Sequence, residues 1–387
     1  MQNEGKLIEI RGIGFNNKGA ELMLHAILDK IKQEFPNASF TMNVTESSGS
    51  RSYERRSKLG FYQNTYLRRR GIDFSFLSSL LPKKLLDMYG IVDISEIDIV
   101  LDASGFSYSD QCGTAYCKEL SILCKRWKRN GTKVVLLPQA FGPFNNTVNR
   151  KNITSIIKDS DLIFARDKDS YDYLDKILPN SKKIQIAGDF TNLIDGIKPK
   201  NFNSIENKFA VIPNYRMIDK SNSLSKRKYV SFIKNIIVST SELNLRPYIL
   251  VHHKNDVDLA REIQSEVFKK VNIVIEDDPL VLKGIIGLSE YIFSSRYHGL
   301  VSALSQSKIA FGTGWSHKYK MLFDDYNFPD GLLDMNMNYD EISNYFQKVF
   351  ISENKNHISS SISKQAGILK NKTMEMWQQV LRIIKDS

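Results

Sequence analysis

The chain has 387 residues, 42% of them hydrophobic and 25% charged, and a formal net charge of +11 at pH 7. These values describe a folded protein too long for one α/β core, so two domains are expected and global disorder is excluded. No apolar run is long enough to span a bilayer, and the polar start shows no signal peptide, so a cytoplasmic protein is expected.

Leu7–Arg11 is a short apolar strand, residues 12–18 a turn, and 20–31 a helix with Leu22, Leu24, Ile27, Leu28 and Ile31 at helical spacing. A second strand, 40–44, leads into a basic stretch. Residues 51–84 hold nine basic side chains against two acidic ones, interleaved with Phe61, Tyr62, Tyr66, Leu67, Phe74, Phe76 and further leucines. That mixture suits contact with a membrane surface or a lipid-linked substrate, and it equally suits a solvated insertion with a small core of its own. None of the recognised nucleic-acid motifs occurs, so no nucleic acid is expected as a partner.

From residue 97 strands and helices alternate, with strands at 97–101, 133–137, Leu162–Ala165 and 183–187 and helices at 117–127, 149–158 and Lys168–Ile177. A polar stretch containing Pro199, residues 198–208, reads as a linker. Beyond it the pattern restarts with strands at Phe209–Ile212, 247–252, 272–275, Tyr291–Ser294 and 308–311 and helices at 229–241, 256–267, 280–288 and 299–305. A last helix, 362–384, is placed to pack back across the domains. Continuous apolar strands alternating with helices indicate parallel sheets covered on both faces. The expected fold is α/β, with two doubly wound Rossmann-like domains. Residues 1–197, with an insertion at about 50–90, form the first and 208–387 the second. Ligands are expected at the carboxyl ends of the strands, facing an interdomain cleft. Cys112, Cys117 and Cys124 lack CxxC spacing, so they suggest neither a disulfide framework nor a zinc site and are expected as buried or half-buried thiols on one helix.

Four strand-end segments can carry chemistry. Arg11-Gly-Ile-Gly-Phe-Asn-Asn-Lys-Gly-Ala-Glu21 joins a strand to a helix start, which fits an anion or hydroxyl ligand and also a plain tight turn. Gln139, ahead of Gly142-Pro143, is placed to bond a sugar hydroxyl or to sit in a rigid turn. Arg166 follows an apolar strand and precedes a helix, where a guanidinium suits a phosphate or carboxylate, or an ion pair with Asp167 or Asp189. In Ser295-Arg296-Tyr297-His298-Gly299 an arginine, an imidazole and a helix start coincide, which combines an anion site with a proton carrier. His252, His253 and Asp256 resemble metal ligands, but adjacent histidines in an extended chain point apart, and no metal is expected. Trp315, His317 and Lys318 can line the cleft or form a surface loop.

Taken in order, these segments resemble the polysaccharide pyruvyl transferase family over about residues 10–325: Asn17, Gly19, Ala20 and Glu21; Gln139 with Gly142-Pro143; Arg166-Asp167 with Ser170; Asp189; His253 with Asp256; Ser295-Arg296-Tyr297-His298-Gly299; and Lys318. The chain departs from the common pattern at Ala20, at Ala103-Ser104-Gly105 and at Phe190-Thr191. The resemblance implies a GT-B-like fold, phosphoenolpyruvate as donor substrate, no cofactor and no metal. It also implies a saccharide acceptor on a lipid or nucleotide carrier, a hexose such as galactose. Arg296 and His298, joined by Arg166, are then expected to handle the donor, with the Tyr297 and His298 backbone nearby. His298 is the expected general acid, and Asp189 either accepts a hydroxyl proton or orients Arg166. Asn17, Glu21, Gln139, His253 and Lys318 are expected toward the acceptor. The basic stretch would hold the enzyme on the inner membrane face. A nucleotide-sugar glycosyltransferase of the same fold and a non-catalytic glycan-binding protein are the competing readings.

Overall fold

The structure is a computed structural model describing residues 5–42, 52–66, 68–69, 72–73, 75, 81–218, 223–267, 271–314 and 316–387. The chain divides into two compact units, Met1–Phe190 with Lys372–Ser387, and Thr191–Asn371. In unit 1 the elements run β1 (Leu7–Arg11), α1 (Lys18–Glu34), β2 (Ser39–Met42), α2 (Tyr53–Lys58), β3 (Phe61–Asn64), β4 (Arg68–Arg69), β5 (Ile72–Asp73), α3 (Lys83–Met88) and β6 (Ile91–Val92). They continue through β7 (Ile99–Asp102), α4 (Ala115–Arg129), β8 (Lys133–Gln139), α5 (Thr147–Asp159), β9 (Leu162–Ala165), α6 (Lys168–Ile177) and β10 (Ile184–Ile186). Unit 2 runs β11 (Phe209–Ile212), α7 (Ser223–Glu242), β12 (Pro247–Val251), α8 (Val257–Glu266), β13 (Ile273–Ile275), α9 (Pro279–Leu288), β14 (Tyr291–Ser294), α10 (Tyr297–Leu304), β15 (Ile309–Gly312), α11 (His317–Asp325) and α12 (Tyr339–Val349). A final helix, α13 (Ser352–Lys385), ends in unit 1, where Trp377 packs edge-on against Phe190 with ring centroids 5.9 Å apart.

Unit 1 is built on an eight-stranded parallel sheet of order β10-β9-β8-β7-β1-β2-β3-β6. β1 is buried along its whole length and is paired on both edges, by β2 and β7. Its two charged residues pair with each other on one face of the strand: Arg11 donates to Glu9 Oε1 at 2.6 Å and lies over the rings of Tyr66 and Trp127. Burial pushes the Glu9 carboxyl up against the pull of Arg11. The chain leaves β1 in one direction and β7 in the other, so the sheet's topological switch point lies between those strands. There Gly12 adopts φ +78°, and a Cβ on it would come within 2.0 Å of Ser104 Oγ. Only glycine lets the two strand-end loops approach so closely.

Unit 2 has a five-stranded parallel sheet, β13-β12-β11-β14-β15, with its switch point between β11 and β14. The polar stretch 198–208 sits inside unit 2: Phe202 packs on Tyr248 at 5.7 Å, and upstream of it the buried Lys283 amine donates to Thr191 O at 2.6 Å.

Three features differ from the sequence reading. The basic stretch is not a separate insertion in its entirety: β3 and β6 extend the main sheet beyond β2. Helix α12 was not foreseen, although Asn338 and Glu341 form a complete capping box ahead of it. Cys117 and Cys124 are buried on α4, while Cys112 is half-buried in the short helical turn before it. Burial pushes the Cys117 thiol up to about 12, away from the thiolate form. The expected strand end at Val44, the side chains of Arg68–Arg69, and Leu67, Arg70, Phe74, Phe76 and Trp315 lie outside the described residues. Among the described residues no helix is long and apolar enough to cross a membrane.

Candidate active site

The Ser295–Gly299 turn stands at the switch point of unit 2. Parallel pairing brings Ser294 opposite Ile212, so the loop after β14 meets the loop after β11. Three side chains clamp the turn. Asn214 Nδ2 and Tyr319 OH each donate to Ser295 O at 2.8 Å, and Tyr229 OH lies 2.6 Å from Ser295 Oγ. Ser294 Oγ accepts from Arg296 N at 3.0 Å. Gly299 is required by packing, since a Cβ there would sit 2.6 Å from Ser294 Oγ. Arg296 is the extended residue just ahead of α10. The N–H groups of Tyr297, His298 and Gly299 precede the first bond along the helix, Leu300 N–H to Arg296 O at 3.1 Å. They form an anion-attracting helix start.

Arg296 does not project freely. Its Nε donates to Asp256 Oδ2 at 3.0 Å and its Nη2 to Asp256 Oδ1, a two-point pair with a carboxylate that has no exposed surface. Asp256 also accepts from Tyr215 N at 2.9 Å. The fork is therefore fixed from the loop after β12, and among the described residues Nη1 donates no hydrogen bond. Beside it His252 is buried. Burial, then the positive charge of Arg296 and the imidazoles of His298 and His253, pushes its pKa down to about 3, so it is neutral at physiological pH. His253 is half-buried and its Nδ1 accepts from Asn255 N at 3.1 Å, capping the turn before α8. Burial and Arg296 lower its pKa too. Lys318 places its amine 5.1 Å from the centroid of Tyr297 and 5.6 Å from that of Tyr319, and Tyr297 stands edge-on to His298.

The structure thus gathers Arg296, Tyr297, His298 and Lys318 in unit 2 and adds His252 and Asp256, whose positioning was not foreseen. An acid four residues after a strand-end histidine was visible in the sequence, but its partner lies 40 residues away.

Unit 1 carries the other expected residues. Gln139 ends β8 fully buried, and its Nε2 donates to Asp102 Oδ1 at 3.1 Å. Asp102 also accepts from Tyr108 OH at 2.8 Å. Arg166 follows β9 and its N–H bonds Gln139 O at 3.0 Å. Its guanidinium is nearly buried, and Asp167 caps α6 through Ser170 N at 2.7 Å. Asp189, half-buried, lies just beyond β10. Asn17 caps α1 by accepting from Gly19 N at 3.0 Å, and buried Glu21 pairs with Lys18 at 3.1 Å and Arg55 at 3.2 Å. Among the described residues no group of three His, Cys, Asp or Glu side chains is arranged to hold a metal ion.

Two parallel sheets, each with strand-end loops at a switch point, define an α/β protein of the GT-B class. Solved structures agree on the fold. S. aureus MnaA in a UDP co-structure superposes with a TM-score of 0.56 at 14% identity, covering 98% of both chains. Anabaena HepE in complex with UDP gives 0.57 at 10% identity, covering 99% of this chain and 100% of that one. UDP-GlcNAc 2-epimerase from Neisseria meningitidis bound to UDP-GlcNAc gives 0.58 at 12% identity, covering 97% and 100%. No curated protein sequence matches the chain. The sequence model of polysaccharide pyruvyl transferase matches residues 17–317, and the chain belongs to that family.

Proposed function

We propose that the protein moves the enolpyruvyl group of phosphoenolpyruvate onto a hexose, galactose or a close relative, of a surface polysaccharide precursor, closing a cyclic pyruvate ketal. The observation that carries this reading is the group at the unit 2 switch point: a fixed arginine, a helix start, His298 and Lys318 around one short turn. Phosphoenolpyruvate carries a carboxylate and a phosphate, and such a ligand is met by guanidinium, ammonium and N–H donors. Lys318 stands beside Tyr297 and so joins the donor side in this reading.

In the proposed reaction His298 donates a proton to the methylene carbon of phosphoenolpyruvate. The adjacent carbon becomes oxocarbenium-like, and a sugar hydroxyl attacks it and releases its proton. Phosphate then leaves with the bonding electrons of its C–O bond. A second hydroxyl of the same sugar attacks, loses its proton and closes the ketal. Arg296 and the N–H groups of α10 stabilise the negative charge that grows on the departing phosphate. His252, neutral beside them, adds no further positive charge to this group. The acceptor is assigned to unit 1, where Gln139 and Asp189 stand at strand ends, with Asn17 and Glu21 shaping the loop after β1. Phosphoenolpyruvate enters as substrate, and the reading assigns no cofactor. The place of action is the cytoplasmic side of a membrane that holds the carrier-linked acceptor.

The test is mass spectrometry of carrier-linked saccharides incubated with phosphoenolpyruvate, alongside phosphate release. The added pyruvate should appear without a nucleotide sugar, and His298→Ala should lower turnover by about 10²–10⁴-fold with the fold intact. Wild-type turnover in that variant removes the acid role. Sugar transfer that needs a nucleotide sugar and ignores phosphoenolpyruvate replaces the whole reading with a glycosyltransferase.

A further inference from the structure

Helix α3 leaves most of its apolar side chains in water. A short surface helix normally turns its apolar side inward and its polar side to water. Here only Leu86 is buried. Leu85 is 37%, Met88 69% and Tyr89 69% exposed, and Leu81, just ahead of the helix, is 47% exposed. Leu85, Met88 and Tyr89 follow the i, i+3, i+4 spacing that places side chains on one helix face. The patch continues onto β3: Tyr62 is 43% exposed and lies against Gly90, where a Cβ would be 3.9 Å from its ring, and Gln63 N bonds Gly90 O at 3.1 Å. Exposed apolar side chains grouped on one helix face mark a contact surface.

We propose that this face, Leu81, Leu85, Met88 and Tyr89 with Tyr62 beside them, docks on an anionic lipid bilayer. The charge around it selects that occupant. Exposed Lys83 and Lys84 open the helix, and Asp87 is its acidic residue. Lys83 Nζ lies 2.5 Å from Glu96 with its side chain 73% exposed, so it stays open to solvent. In the chain leading to it Arg55 pairs with Glu21, Arg56 is buried and Lys58 pairs with Glu54, so Lys83 and Lys84 are the lysines this face presents. Apolar and aromatic side chains between lysines match the acyl–headgroup boundary, where rings and methyls enter and ammonium groups meet lipid phosphates. A symmetric pairing with a second copy would set the same lysines against each other. β6 beside the helix is the outer strand of the sheet, so the face stands at the rim of unit 1. This inference deepens the proposed function, resting on its carrier-linked acceptor for its purpose, but bilayer binding requires no turnover and can fail separately.

The experiment is co-sedimentation of the full chain with phosphatidylcholine vesicles with and without 30 mol% phosphatidylserine, at two salt concentrations. The protein should bind the anionic vesicles, and binding should weaken with salt. Met88→Ser/Tyr89→Ser and Lys83→Glu/Lys84→Glu should each lower the partition coefficient by about tenfold or more. Thermal melting should show both variants folded, and phosphate release with a water-soluble acceptor should stay at the wild-type rate. Equal binding to neutral vesicles, or unchanged binding by either variant, overturns the proposal. So does conversion of a wild-type dimer to monomer by Met88→Ser/Tyr89→Ser, which assigns the face to a second copy. Vesicle binding without pyruvyl transfer would leave this surface standing and remove the enzymatic reading alone.

Discussion

Asp256→Ala is the most informative single change in unit 2. The side chain has no exposed surface, accepts from two nitrogens of Arg296, whose side chain is 12% exposed, and also accepts from Tyr215 N. Removing it leaves a nearly buried guanidinium without its counter-charge and a main-chain N–H without its acceptor. Loss of one partner from a buried pair costs about 3–5 kcal/mol. At roughly 2–4 °C per kcal/mol for a domain of this size, the melting temperature should fall by on the order of 10 °C. Arg296→Ala should cost a similar amount. The double variant should be more stable than the two losses added together, with a coupling of about 2 kcal/mol or more. Kinetics supply the second half of the test. Asp256→Asn keeps the shape but lowers the charge holding the fork, so kcat/KM for phosphoenolpyruvate should drop by roughly tenfold or more through lost orientation. Simple electrostatics predicts the opposite sign, because removing a negative charge strengthens attraction for an anionic substrate. Melting within a degree of wild type, additive single losses, or tighter phosphoenolpyruvate use by Asp256→Asn would refute the positioning argument.

His252 gives a pH signature. It stays neutral in the folded protein down to about pH 3, whereas the unfolded chain takes up the proton near pH 6.5. The unfolded state therefore binds more protons between these values, and stability should fall on acidification through that window by at most about 1.4 kcal/mol per pH unit. Above pH 7 the effect vanishes. His252→Gln should flatten the slope of denaturant midpoint against pH between 6 and 4, and identical slopes would contradict the assignment. Tyr319→Phe removes the hydroxyl that donates to Ser295 O at 2.8 Å while Asn214 keeps its own bond to that oxygen. It should cost about 1 kcal/mol in thermal melting and lower kcat by loosening the turn that carries Arg296 and His298. A variant with wild-type melting and turnover would show that the clamp is redundant.

The sites were legible to different depths. His298 and Arg296 stood out because a strand, a glycine and a helix start surround them within a few residues. Asn17 and Glu21 were visible as a strand-to-helix loop, but their engagement in a helix cap and in ion pairs with Lys18 and Arg55 depends on where those partners fold. Gln139 was read as bonding a sugar hydroxyl or sitting in a rigid turn, and its amide donates to Asp102, a bond between neighbouring strands that local sequence does not encode. β3 and β6 escaped notice because such short segments carry little periodicity. They are strands through their neighbours, β2 beside β3 and β3 beside β6.

Residue order alone determined the alternation of apolar strands and amphipathic helices, and with it two parallel sheets, because side-chain period and strand hydrophobicity are local properties. Tertiary structure decided which loops meet at each switch point, that Asp256 holds Arg296 across 40 residues, and that His252 is dry enough to lose its proton. Those outcomes depend on distance and dielectric, and both exist only once the sheets have closed.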